Sequence, residues 1–137
     1  MLLSGERGVV LIERKTISDF ISSVEDRRIW SQVKALKRLE EEEGARTMLI
    51  VSGFFWEMRK KKGRTSERLE GLRRMILSTI ASIMVDWGIP VLRVESTEQV
   101  ASFVRLLAKR LGKPVEAKPR LLEYKPKARS PDDEALR

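Results

Sequence analysis

The chain has 137 residues, enough for one domain with a modest core and too few for a second full one. It contains neither cysteine nor histidine, which excludes disulfides, thiolate or imidazole metal sites, cysteine nucleophiles and serine-histidine triads. Chemistry must therefore come from carboxylates, lysine, arginine and a metal ion, and a formal net charge of +8 makes polyanions, nucleic acid first among them, the expected partners.

Composition alone suits an anionic membrane surface or a ribosome equally well. No stretch reaches the roughly 18 consecutive apolar residues of a spanning helix, and the N-terminus lacks a basic region followed by an apolar signal core. The expectation is an intracellular protein, in the cytoplasm or nucleoid, or in the nucleus if eukaryotic.

In chain order, Gly5-Glu6-Arg7-Gly8 reads as a turn feeding a first strand, Val9 to Glu13, which is β-branched and aliphatic. From Thr16 the period becomes helical, with Ile17, Phe20, Ile21 and Val24 on one face. A second helix is predicted from Arg28 through Trp30, Val33, Ala35, Leu36 and Leu39 to near Gly44. Its last turn, Glu40 to Glu43, has the wrong sign for a helix C-terminus and reads as a solvated acidic face.

Met48 to Val51 forms a second strand and Ile89 to Val94 a third. Between them a helix runs from about Thr65 to Trp87, carrying Leu69, Leu72, Met75, Ile76, Ile80, Ile83 and Met84. Ser96 and Gln99, three apart, form a capping box for a last helix ending near Leu111. Strands alternating with helices predict an α/β domain. Beyond Gly112, Pro114, Pro119, Pro126 and Pro131 break regular structure among frequent basic residues. The predicted organisation is a domain over residues 1–112 and a basic, proline-containing linker or tail over 113–137, whose end, "SPDDEALR", reads as a new helix beginning.

The first strand ends on Glu13, Arg14 and Lys15. Alternation puts Glu13 and Lys15 on one side and Arg14 on the other, so a carboxylate and an ammonium stand side by side. Phosphodiester hydrolysis can use that pair, Glu13 holding Mg²⁺ (or Mn²⁺) and Lys15 orienting a water or neutralising charge on the phosphate. Glu-x-Lys by itself is common at exposed strand ends. The longer string, an apolar strand, E-R-K, three residues and then Asp19 in the first turn of a helix, is far more specific.

That string resembles the XPF family of structure-specific DNA nucleases, whose signature is Gly-Asp, a variable spacer and E-R-K-x-x-x-D; "ERKTISD", residues 13 to 19, matches the second half letter for letter. "DRRIWSQ", residues 26 to 32, is similar to the segment in which the family places an arginine and a glutamine beside its active site, here Arg28 and Gln32. "TMLIVSG", "GIPVLRV" and "KPR" resemble the family's next strand, its last core strand and the approach to its helix-hairpin-helix domain. The resemblance implies a restriction-endonuclease-like central sheet flanked by helices, and a Mg²⁺-dependent endonuclease acting as a homodimer on flapped, forked or branched DNA in repair. A sliding clamp is a further candidate partner. In it Glu13 would hold the metal, Lys15 would position the water or phosphate, Asp19 would support that network, and Arg28 and Gln32 would orient substrate or carboxylate. Arg14 has the least defined role of the catalytic set.

One departure stands out. Met1-Leu2-Leu3-Ser4 resembles the residues just after the family's Gly-Asp, so the sheet is expected to lack its first strands and the second metal-binding carboxylate. Mg²⁺ held by Glu13 and the Arg14 carbonyl alone would bind weakly. The bare edge beside Val9 to Ile12 would need dimerisation or another segment to cover it. The alternative function is an inactive DNA-binding or dimerisation module of the same family; a third is a basic α/β domain with no nucleic-acid role.

Plainer readings stand beside these. Thr16 and Asp19 are spaced as a helix cap, and Arg28 and Gln32 as an exposed polar pair. The run Arg59, Lys60, Lys61, Lys62, Gly63, Arg64 is either a solvated loop or a DNA phosphate contact. Phe54, Phe55 and Trp56 either pack on the long helix or stack on unpaired bases. Surplus apolar residues on the last two helices serve a tight core or a homodimer seam.

Overall fold

The computed structural model describes residues 1–54 and 66–116. Eight elements follow one another: β1 (Leu2–Gly5), β2 (Gly8–Thr16), α1 (Ile17–Glu25), α2 (Arg28–Glu43), β3 (Arg46–Ser52), α3 (Ser66–Val85), β4 (Val91–Val94) and α4 (Thr97–Leu111). They build one four-stranded sheet in the order β1-β2-β3-β4, with β1 antiparallel to β2 and the other neighbours parallel. The mixed sheet with helices on both faces is the restriction-endonuclease-like α/β arrangement.

Period-two alternation sorts the strand side chains between two cores. Leu11, Leu49 and Val51 pack with Phe20, Ile21, Ile29, Val33, Leu36, Ile76 and Ile83 beneath α1, α2 and α3. Val10, Ile12, Met48 and Ile50 face the other way, onto Val100 and Leu111 of α4. Each fully buried aliphatic or aromatic side chain contributes roughly 1.5–3 kcal/mol relative to an exposed one. The strongly apolar β2 and β3 are thus explained, since both of their faces are covered.

The sheet does not lack a strand ahead of Val9. Leu2–Gly5 pairs with β2 in the register Leu2↔Leu11 to Gly5↔Gly8, so the edge beside Val9 to Leu11 is covered by the chain's own residues. Met1 continues the ladder, its carbonyl accepting from the Ile12 N–H at 2.7 Å and its amino group donating to the Ile12 carbonyl at 2.9 Å. Glu6 and Arg7 form the two-residue hairpin loop that tightly twisted antiparallel strands favour. Only four residues long, β1 is too short for its own alternation to announce it.

The start of the predicted tail is ordered against this hairpin. The Glu6 and Arg7 N–H groups donate to the Lys113 and Leu111 carbonyls, and Pro114 bridges Gly5. Residues from 117 onward, together with Phe55, Trp56 and the basic run Arg59, Lys60, Lys61, Lys62, Arg64, lie outside the described residues. No helix among the described residues is long and apolar enough to cross a membrane.

Helix ends follow local chemistry. The Thr16 hydroxyl accepts from the Asp19 N–H at 3.1 Å, and the Ser96 hydroxyl accepts from the Gln99 N–H at 3.2 Å, so both expected caps are present. Gly44 ends α2 in the left-handed region, φ 70°. The acidic last turn of α2 is not wholly a solvated face, because Glu40 accepts from the buried Thr47 hydroxyl at 2.9 Å and pairs with Lys37 at 3.4 Å.

Candidate active site at the end of the second strand

β2 carries Leu11, Glu13 and Lys15 on the face beneath α1 and α2, and both ionisable groups are nearly removed from water, at 2% and 1% exposed. Taking a charged group out of water costs several kcal/mol unless charge and hydrogen bonds offset it. Such groups are therefore rare in a core without a task. The Lys15 ammonium donates to the Ser23 hydroxyl at 3.3 Å, and Ser23 is itself fully buried on α1. Thr16 starts that helix immediately after Lys15, which is why an α1 serine can reach back over the strand end.

Asp19 sits partly exposed in the first turn of α1, its backbone capped by Thr16. The cap belongs to Thr16, and Asp19 adds an acidic side chain in the first turn. Arg14 stands on the opposite side of β2, exposed, with Nη2 donating to Thr97 Oγ1 at 3.1 Å. The E-R-K triplet is thus divided between the two faces of the sheet, as alternation requires.

α2 brings Arg28 and Gln32 to the same layer. Arg28 is held by Asp26, whose carboxylate accepts from the Arg28 Nε at 2.6 Å and from its backbone N–H at 3.1 Å. Arg27 just before it takes a left-handed conformation, φ 67°, which turns the chain from α1 into α2. Gln32, one helical turn on, is only 4% exposed, so the pair is not an exposed polar one. Among the described residues, Arg28 Nη1 and both polar atoms of Gln32 are buried with no hydrogen-bond partner. Buried polar groups are satisfied in the large majority of cases, and a cluster left unsatisfied marks where a ligand supplies the missing partners.

Two contributors escaped the sequence reading: Ser23 and Asp26. The signal for Ser23 was its place among Phe20, Ile21 and Val24, where a small polar residue needs a buried partner. Among the described residues no group of three or more acidic side chains converges. Glu13 presents its carboxylate on this face of β2, and that fits a hard cation such as Mg²⁺, which is commonly held by one or two carboxylates with substrate phosphates completing its shell. The β1–β2 register adds a geometric point: Met1 pairs with Ile12, so the start of β1 stands next to Glu13 at the end of the ladder.

Comparison with known proteins agrees with this arrangement. The ERCC4 domain model matches residues 2–107. A putative ATP-dependent RNA helicase of Methanocaldococcus jannaschii is 32% identical over 102 residues, covering 74% of this chain and 11% of that protein. XPF from Aeropyrum pernix, solved alone and in complex with DNA, superposes with a TM-score of 0.60 at 26% identity, covering 81% of this chain and 49% of that one. This chain therefore spans about half of the XPF chain and about a tenth of the helicase. With the E-R-K strand, its flanking helices and a family match over most of its length, the chain belongs to the ERCC4 domain family and has the XPF nuclease-domain fold.

Proposed function

We propose that this chain is the nuclease domain of a structure-specific DNA endonuclease that cuts flapped, forked or branched DNA by metal-assisted phosphodiester hydrolysis in repair. The observation that carries the reading is the pair Glu13 and Lys15, buried side by side beneath α1 and α2, with unsatisfied donors of Arg28 and Gln32 in the same layer. An XPF relative solved with DNA supports DNA as the partner.

In this reading Glu13 is the ligand for Mg²⁺ or Mn²⁺. Bound there, the cation would polarise a phosphoryl oxygen and acidify a coordinated water. Lys15, its ammonium oriented by Ser23, sets a fixed positive charge against the phosphate as negative charge develops on it. Arg28 and Gln32 supply N–H groups to non-bridging oxygens or to the Glu13 carboxylate, and Asp26 keeps the Arg28 guanidinium in one orientation. Asp19 supports the Lys15 or metal network from the first turn of α1. Arg14, on the other face, acts through the start of α4.

Several companions of this reading are proposals of the same kind. The nuclease domain is residues 1–112, and 113–137 is a basic linker or tail whose first residues pair with the β1–β2 hairpin. The basic residues Arg59, Lys60, Lys61, Lys62 and Arg64 contact DNA phosphates, and their contribution should fall with rising salt. Two copies pair through exposed apolar residues of α3 and α4, and the protein works inside the cell, with a sliding clamp as a candidate recruiter.

A second reading, a DNA-binding or dimerisation module without cutting, is favoured by the absence, among the described residues, of a group of three or more acidic side chains. Cleavage of an end-labelled three-prime-flap duplex with Mg²⁺ or Mn²⁺ separates the two. Wild type should cut near the junction and Glu13→Ala should not. If neither cuts while both bind the flap, the module reading replaces the endonuclease.

A further inference from the structure

A second row of side chains crosses the sheet beside the site. In the β2–β3–β4 register, Lys15 pairs with Val51 and Val51 with Arg93, so the three lie abreast on one face. Two strand spacings, about 10 Å, separate the Lys15 and Arg93 backbones, roughly three nucleotide steps along a duplex axis. Arg93 is exposed, whereas Lys15 and Val51 are buried. A guanidinium therefore emerges at the open edge of the sheet, at the level of the buried lysine.

Beside it is a crevice of about 280 Å³ at the C-terminal ends of β3 and β4, lined by Gly53, Phe54, Arg93, Val94 and Glu95. Open α/β sheets bind ligands at this end of their parallel strands. The wall is built by a backbone bond, the Gly53 N–H donating to the Val94 carbonyl at 2.9 Å, and Gly53 turns there with φ 121°. That geometry ends β3 abruptly and leaves Phe54 37% exposed at the rim.

We propose that this crevice holds one unpaired nucleotide of the DNA arm next to the cut, with Arg93 on its phosphate, Phe54 against its base and Glu95 accepting from an exocyclic amine. The three groups differ in what they can take. A guanidinium suits a phosphate, an aromatic ring suits any base, and a carboxylate repels phosphate but accepts from the amine of cytosine or adenine. Their arrangement therefore orients a nucleotide, phosphate toward Arg93 and base edge toward Glu95. A fully paired duplex cannot present a base face to Phe54, so the crevice selects for a single-stranded arm. This inference rests on the endonuclease reading for its DNA partner and adds the feature by which that DNA is distinguished.

The test is fluorescence anisotropy of the full chain, without divalent metal, on a flap duplex with a single-stranded arm and on a fully paired duplex. Phe54→Ala should weaken flap binding about 5- to 160-fold, in line with about 1–3 kcal/mol of stacking, and change duplex binding less than about twofold. Phe54→Trp should restore the flap affinity, and abasic residues in the arm should erase the difference between wild type and Phe54→Ala. Arg93→Gln should reduce the salt slope of flap binding by about one, and Glu95→Ala should narrow the preference for cytosine or adenine arms over thymine. If folded Phe54→Ala and Arg93→Gln bind the flap as tightly as wild type, the crevice is overturned; a wild type that still cuts the flap then leaves the endonuclease reading standing. A wild type that binds neither DNA overturns both.

Discussion

Lys15 and Ser23 meet inside the protein, the lysine ammonium donating to the serine hydroxyl at 3.3 Å with both residues 1% exposed or less. Burying that ammonium costs free energy, which its hydrogen bond to Ser23 offsets in part. Ser23→Ala should cost about 1.5 kcal/mol in urea unfolding, the loss of a hydrogen bond to a charged group, and should slow flap cleavage.

Lys15→Met removes the ammonium but leaves Glu13, 2% exposed on the same face of β2, as a buried carboxylate without that charge beside it. The melting temperature is therefore expected to fall, and Glu13→Gln added to Lys15→Met to recover it. Cleavage should fall by at least about 100-fold in both. Equal melting temperatures for wild type and Lys15→Met would show that the two charges do not support each other.

Gln32 invites the same experiment from α2. Both polar atoms of its side chain are buried without a hydrogen-bond partner among the described residues, so Gln32→Leu should stabilise by about 1 kcal/mol. Cleavage should weaken together with flap affinity. A destabilised Gln32→Leu protein would mean that the amide is satisfied in solution, and thermal melts beside binding curves decide it.

The hairpin depends on a close approach. A Cβ at Gly5 would lie 2.5 Å from the Leu111 carbonyl oxygen, against backbone that cannot step aside. Gly5→Ala should therefore destabilise by roughly 2–4 kcal/mol. Gly71, in α3 with nothing near its missing Cβ, is the control, and Gly71→Ala should stabilise by about 0.5–1 kcal/mol.

Leu77, Met84 and Val85 lie on one side of α3 and remain 54%, 48% and 82% exposed. If two copies pair there, Leu77→Glu with Met84→Glu should give monomers in sedimentation at concentrations where wild type is dimeric. Stability of the monomer should change by less than about 1 kcal/mol, because these side chains contribute little to its core. A wild type that sediments as a monomer removes the proposal.

The elements that could be read directly from the chain were those whose own pattern carries them. Ile17, Phe20, Ile21 and Val24 recur at helical spacing, Ser96 and Gln99 cap α4, and E-R-K with Asp19 identifies the family from one strand and one helical turn. Alternation along a strand also sufficed to put Glu13 and Lys15 on one side and Arg14 on the other, because that geometry is local.

What the sequence determined by itself, then, was the order of the elements from β2 onward and the family. Only the tertiary structure decided that Leu2–Gly5 closes the edge of β2, that Ser23 meets Lys15, that Gln32 is buried, and that Arg93 stands abreast of Lys15 two strands away. Each of these depends on pairing register or helix placement between segments distant in the chain. Residue spacing records the period of one segment, whereas a register is set by the joint packing of both faces of the sheet.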